Sequence, residues 1–415
     1  MRILFVIPYP LSRIRVRSYG FVQQLRKRHE VHVLALSCGK REMADVRAMV
    51  AEGIKVTVIE ETYAHKIWRC LRAFSTNQPL QVAFDASPRL RELLRTYIDG
   101  GQYDLLHIES VRALGMLPVP AQLLPLPCIW DAVDCISHLY QLAAYHGTTP
   151  LLRLLGPYEA QRIRAYEQQQ LAHFRHVLVT SPREQQQLLL DMQEQQHGES
   201  GQHAEISVLP HGLDPLYFQP YTGMRQQDTL IFSGKMSFHA NIAGVHMLVK
   251  QIMPLLWRER PQVRLIIAGS DPPPSIQLLA RDTRVIVTGY ITDLRRYIGH
   301  ARVALCPLPY AVGVQNKVLE AMALGTPVVV SPVAAAGLQV VDGRDLLIAS
   351  TPEAFAATIL TLLHDDTLWQ QLSVQGRRYI EQYHCWETIL AQLETIYIQA
   401  VQQHSQAKVA YHDVL

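Results

Sequence analysis

Apolar residues in this chain gather in short runs separated by longer amphipathic stretches. The runs Ile3–Ile7, Val31–Leu36, Val56–Ile59, Leu105–Ile108, Cys128–Trp130, Val177–Thr180 and Ile206–Leu209 are continuously apolar or nearly so. That pattern predicts strands buried on both faces of a parallel sheet. Helical stretches such as Tyr19–Arg28 fall between them, and strands alternating with helices imply βαβ units. After His211-Gly212-Leu213-Asp214 comes a polar, turn-prone stretch, Gln219 to Asp228. A fresh series starts at Thr229 with strand LIFSG, a helix, VRLIIAG, VIVTG, another helix and VALCPL. The expectation is an α/β protein of two Rossmann-like domains joined near residues 215–228.

The most informative stretch runs from Val303 to Leu338. Val303–Leu308 reads as a buried strand, followed by a loop with Pro309, Gly313 and Gln315. Asn316 is suited to cap the helix KVLEAMAL, Gly325 sits where a helix end wants a positive φ, and Pro327 prevents continuation. Val328–Val330 is the next strand. Ligands of open parallel sheets bind outside the carboxyl ends of the strands, against helix N-termini that attract anions. Lys317 falls on the first helical turn, where a cation opposes the helix dipole unless it points at an anion such as a phosphate. Glu320 lies about one turn further in, within reach of a ribose diol behind that phosphate. The plainer alternative is a solvated Lys–Glu pair.

This stretch resembles the nucleotide-sugar site of GT-B glycosyltransferases, in particular the large retaining family 4. Glu320-Ala-Met-Ala-Leu-Gly-Thr-Pro-Val-Val matches the second half of that family's motif, while the family's first Glu falls on Val312. The subgroup pattern G-x-x-N-K-V-L-E-A-M-A fits with Gly313, Asn316 and Lys317, and is similar to bacterial sugar transferases tied to exopolysaccharide and protein-sorting clusters. The resemblance implies a GT-B fold, with an N-terminal acceptor domain over residues 1–218 and a C-terminal donor domain over 225–389. It also implies a cleft between them and a last helix, about 390–415, crossing back to the first domain after Tyr383-His-Cys-Trp386. It implies a nucleoside diphosphate sugar as co-substrate, no other cofactor, and a sugar, lipid-linked or small-molecule acceptor, with retention of configuration. Epimerisation of a nucleotide-sugar, or a degenerate scaffold that merely binds one, is the rival reading.

By the same resemblance, Gly313, Val314, Gln315, Asn316, Lys317, Leu319 and Glu320 contact the donor. Lys235, after Ser233-Gly234, stands for the family's diphosphate-binding arginine, and Asn241 occupies the place of its lysine. Lys317 then supplies the second charge, and two cations take the place of a metal ion against the leaving diphosphate. Gly289 and Tyr290, ending Val285-Ile-Val-Thr-Gly-Tyr, are expected along the base. In the first half, the loop Leu11-Ser-Arg-Ile-Arg-Val-Arg-Ser lacks the family's glycine but offers three arginines, of which Arg17 is the candidate for a phosphate. His107 and Glu109 end one strand run, and Asp131 and Asp134 follow another. Asp131 is the candidate catalytic carboxylate toward the acceptor or the anomeric carbon, against a structural hydrogen bond; Asp134 is an acceptor-side residue or a helix cap. The Asp131-x-x-Asp134 spacing also suggests a metal pair, but GT-B relatives generally dispense with one, and no His/Cys cluster has zinc spacing.

Size and charge agree with this reading. The 415 residues suffice for two or three domains, and a net charge of +3 gives no case for nucleic acid. The six cysteines are scattered without a C-x-x-C pair, as reduced thiols are. The opening run breaks at Pro8, too short for a signal peptide, so a cytoplasmic protein is expected. The basic, aromatic stretch His65-Lys-Ile-Trp-Arg-Cys-Leu-Arg-Ala-Phe suits either a helix lying on an anionic membrane at its inner face or one packed on its own domain.

Overall fold

The computed structural model describes residues 1–12, 16–146, 150–195, 204–214 and 216–412. Arg13 and Arg15 of the arginine loop lie outside them. The chain divides into two compact units. The first comprises Met1–Tyr140, Pro157–Gly212 and Trp386–Leu415; the second comprises Gln141–Gly156 and Leu213–Cys385.

Among the described residues the first unit carries a seven-stranded sheet: β1 (Arg2–Ile7), β2 (Glu30–Ser37), β3 (Lys55–Glu60), β4 (Leu105–Glu109), β5 (Cys128–Val133), β6 (His176–Val179) and β7 (Glu205–Val208). Their order is β3-β2-β1-β4-β5-β6-β7, every pair parallel. Continuous apolar runs arise because both faces are covered. Leu4 and Val6 join a core with Leu94, Leu106 and Trp130 on one side. Ile3, Phe5 and Ile7 point to the other, where helix Val16–Leu25 and helix Trp386–His412 close over them with Phe21, Trp386, Leu393 and Tyr397. The last helix thus belongs to the first unit. Helix Val16–Leu25 begins three residues before the expected Tyr19 and stops before Lys27 and Arg28, which enter a turn.

The second unit repeats the plan with β8 (Gln226–Ser233), β9 (Arg264–Ala268), β10 (Val285–Gly289), β11 (Ala301–Cys306), β12 (Val328–Val330) and β13 (Leu347–Ile348). The order is β10-β9-β8-β11-β12-β13, again all parallel. Both sheets reverse direction once, between β1 and β4 and between β8 and β11. Those switch points are where the strand ends splay apart and a ligand finds a crevice.

One helix turns out the reverse of a packed amphipathic element. Tyr63–Ala73 carries Ile67, Trp68 and Leu71 outward, while Lys66 is buried. Its rotation is set by ion pairs. The Lys66 ammonium donates to Asp85 at 2.8 Å, and Arg69 donates to Glu61 at 3.0 Å and to the Phe84 carbonyl at 2.8 Å. All six cysteines are free thiols, and among the described residues no helix is long and apolar enough to cross a membrane.

Candidate active site

In the second unit two loops and one helix meet at the β8/β11 switch point. Leaving β8, the chain passes Ser233-Gly234-Lys235. Leaving β11, it runs through residues 307–315 into helix Asn316–Ala323. The helix start differs from the expected one. Gln315 is the cap residue, extended at φ −86° and ψ 97°, and makes no side-chain cap bond. Its amide instead donates to the Val312 carbonyl at 3.1 Å. Asn316 is already helical, and its buried Oδ1 has no hydrogen-bond partner among the described residues. This N-terminus therefore keeps its positive end uncovered by any capping oxygen.

Lys317 sits on that first turn, partly buried. Its Nζ donates to Asn241 Oδ1 at 2.5 Å and stands 4.7 Å over the Phe232 ring. Asn241 in turn donates from Nδ2 to the Lys235 carbonyl at 2.8 Å. Asn241, which takes the place of a family cation, thus clamps Lys317 against the Gly234–Lys235 turn. Among the described residues no carboxylate pairs with Lys317, and burial lowers its pKa. Nearby Cys306 and Glu320 offset that burial only in part, and an incoming anion stabilises the ammonium further. The Lys235 side chain is exposed beside this turn.

Glu320 is partly buried one turn on, and burial pushes its carboxyl up to about 7, with Lys317 opposing. Two glycine contacts hold the loops against neighbouring backbone. A Cβ on Gly269 would lie 1.7 Å from the Gly234 carbonyl oxygen, and one on Gly337 would lie 2.1 Å from that of Gly313, so both loops approach neighbouring backbone too closely for any side chain. Neither Gly269 nor Gly337 belongs to a recognisable spacing, and sequence reasoning missed both. Of the other donor-side candidates, Gly313 takes φ 59° and Gly289 φ 69°; Val314 and Leu319 are buried; Tyr290 is 64% exposed. Gly325 takes the expected positive φ, 69°.

The raised carboxyl of Glu320 has a thermodynamic consequence. A proton held up to about pH 7 in the folded chain, but only to 4.5 ordinarily, stabilises the fold below pH 4.5; that contribution is lost as pH rises through 7. Without nucleotide, the melting temperature should therefore fall between pH 5 and pH 8, and Glu320→Gln should flatten part of that slope. Equal slopes in both proteins would show that Glu320 does not titrate there.

The first unit brings together Arg17, His107 and Asp131, with Asp134 nearby. Asp131 lies within β5 and is wholly buried. Arg17 grips it from Nε at 2.7 Å and Nη2 at 2.9 Å, and Nη1 reaches the Leu209 carbonyl at 2.6 Å. Burial alone would raise the Asp131 carboxyl, but Arg17 and His107 bring it down to about 2. His107 stacks on Phe5 at 4.2 Å and shares a 2.8 Å hydrogen bond with the hydroxyl of Tyr397, on the last helix. The residue aimed at the acceptor in sequence reasoning is thus an internal anion holding Arg17, and Arg17 spends its donors inside the unit.

Glu109 accepts from Tyr9 and Ser18, each at 2.6 Å, and burial followed by the charge of Asp131 raises its carboxyl. Asp134 accepts from the Thr180 hydroxyl at 3.1 Å; burial, then Glu184, pushes it up to about 7. Strain gathers at the same strand ends, where Ser110 has φ 73° and Val133 φ 67°. For a β-branched residue that is a costly conformation, of the kind found at functional sites.

Residues 14–194 match the glycosyl transferase 4-like domain family and residues 227–365 match glycosyl transferases group 1. Over 212 residues the chain is 26% identical to a glycogen synthase of Mycobacterium tuberculosis, covering 48% of this chain and 49% of that one. Over 207 residues it is 26% identical to the MMP alpha-(1->4)-mannosyltransferase of Mycolicibacterium hassiacum, with the same coverage. The chain spans about half the length of these curated relatives. Its fold is similar to that of Anabaena HepE in complex with UDP, with a TM-score of 0.69 at 16% identity over 96% of this chain and 100% of that one. It is also similar to sucrose-phosphate synthase from Thermosynechococcus elongatus, with a TM-score of 0.68 at 18% identity over 96% and 98%. Two parallel-sheet units of Rossmann order, each matched by a glycosyltransferase family, make this chain a member of the GT-B glycosyltransferases.

Proposed function

We propose that the protein moves a sugar from a nucleoside diphosphate donor to an acceptor hydroxyl, with retention of configuration. The observation that carries this is Lys317, a partly buried ammonium with no ion-paired carboxylate among the described residues, on the first turn of an uncapped helix at the sheet's switch point. A diphosphate there meets the helix N–H groups and the ammonium together, and as it leaves its growing charge is neutralised by Lys317 and Lys235 in place of a metal ion. Glu320, one turn deeper, receives the ribose hydroxyls. Asp131 serves by fixing Arg17 rather than by touching substrate. Gly313 with Asn316-Lys317-Val318-Leu319-Glu320 supports the exopolysaccharide-type subgroup, and hence a sugar or lipid-linked acceptor.

Thermal melting with UDP, GDP, ADP and TDP tests the donor half. A nucleotide at about a hundred times its Kd adds about 2.7 kcal/mol, a shift of several degrees. No shift with any of them would favour the scaffold reading, to which Val312 in place of the family's Glu lends itself. Nucleotide released only when an acceptor is added supports transfer; free sugar isomers formed from donor alone would mark an epimerase.

A further inference from the structure

We propose that helix Tyr63–Ala73 is a docking face for an anionic lipid surface. Tyr63, Ile67, Trp68, Leu71 and Phe74 are each between 50% and 62% exposed and occupy one arc of the helix and its cap. Isolated exposed apolar residues need no explanation, but five on one face of a three-turn helix form a patch. The helix could have buried that arc. Instead its opposite side is pinned by Lys66 on Asp85 and Arg69 on Glu61, with Arg112 also on Asp85 at 2.5 Å, so the apolar arc is held outward by buried ion pairs.

Charge selects the occupant. Residues 63–78 contain no acidic side chain. Of the acids facing the helix, Glu61 and Asp85 are buried and already paired, and Glu159 is buried near Cys70. Glu42, beside Tyr63, is partly exposed and accepts from the Cys38 amide. On the helix itself the exposed polar side chains beside the apolar arc are basic: His65 and Arg72. The Arg72 guanidinium lies 4.7 Å over the Trp68 ring, at the border where a long cation reaches lipid phosphate while its stem stays on apolar surface. Tyr and Trp on such an arc are the residues that settle at headgroup depth. A second copy docked on the same face would bring Arg72 against Arg72 with no acid between, which disfavours a symmetric dimer.

Flotation of the full chain with vesicles tests this at about 0.1 M salt, using phosphatidylcholine with about one third phosphatidylglycerol against phosphatidylcholine alone. The chain should float with the anionic vesicles. The double variant Trp68→Ser/Leu71→Ser, altering only exposed side chains, should melt as the parent does and float at least about tenfold less. Arg72→Glu should also weaken binding and make it less sensitive to salt. No flotation of the parent, or equal flotation of the double variant, would overturn the proposal. So would light scattering that finds a dimer dissolved by the same pair, which would assign the face to a second copy. Nucleotide-induced melting shifts do not depend on this face, so its failure leaves the donor reading standing.

Discussion

Lys317→Ala is expected to weaken nucleoside diphosphate binding by about 30- to 100-fold while changing nucleoside binding by less than about threefold, since hydrogen bonds to charged groups contribute about 1.5–3 kcal/mol. The split follows from geometry. The ammonium belongs to the first turn of helix Asn316–Ala323 and Glu320, which in the proposed function receives the ribose, to the next. Removing the cation strips charge from the phosphate end only. Asn241→Ala should act in the same direction but less, because it frees the ammonium to wander without deleting it. A second signature has the opposite sign. Lys317 carries a desolvation cost that Cys306 and Glu320 offset only in part, so without nucleotide Lys317→Met should melt higher than the parent. Calorimetric titration with UDP and uridine, paired with melting curves, reads both. Equal losses for nucleotide and nucleoside would remove Lys317 from the phosphate site.

Much of the fold was legible because parallel strands covered on both faces must be apolar throughout. Ile3–Ile7 and Val303–Leu308 announce themselves for that reason, and the structure lays β1 and β11 in the centre of their sheets beside the switch point. There β11 begins at Ala301 and ends at Cys306, so that Pro307 and Leu308 fall in the loop. The site was legible as far as local spacing reaches: helix, Lys317, Glu320 and the positive φ of Gly325 all fall within a few residues. What stayed hidden depends on contacts across the chain. Tyr397 meets His107 across a separation of 290 residues, which no spacing rule can supply. Asn241 looked like a lost cation and is a clamp for another. Gly269 and Gly337 are required by backbone that lies elsewhere in sequence. The helix Tyr63–Ala73 teaches a different lesson. Periodicity reveals two faces but not which of them turns inward, and here the buried pairs of Lys66 and Arg69 decide it.

Asp131→Asn is expected to cost about 3 kcal/mol, near the lower end of the 3–5 kcal/mol range for breaking a buried ion pair by removing one partner. Asparagine keeps the shape and one acceptor, but Arg17, 3% exposed, loses the carboxylate that pairs with it. For the first unit that is a drop of about 6–12 °C in its melting transition. The acid limb distinguishes this from a loss of packing. A carboxyl at about 2 in the folded chain, against 3.8 ordinarily, contributes stability that is full above pH 3.8 and lost as pH falls through 2. The parent should therefore lose stability steeply over that window and the variant less so, its curves converging toward low pH. Pairing the change with Arg17→Met should return part of the loss, because the double variant buries neither charge. Measured well below its melting midpoint, Asp131→Asn should bind nucleotide as the parent does, since Lys317 and Glu320 belong to the other unit. Its turnover should fall, because Arg17 no longer holds the carbonyls of Leu209 and Pro210 in one arrangement, and the strained Val133, whose N–H donates to Asp131 Oδ1, loses its carboxylate acceptor. A variant that melts with the parent at every pH would show that the Arg17–Asp131 pair does not hold this strand end together.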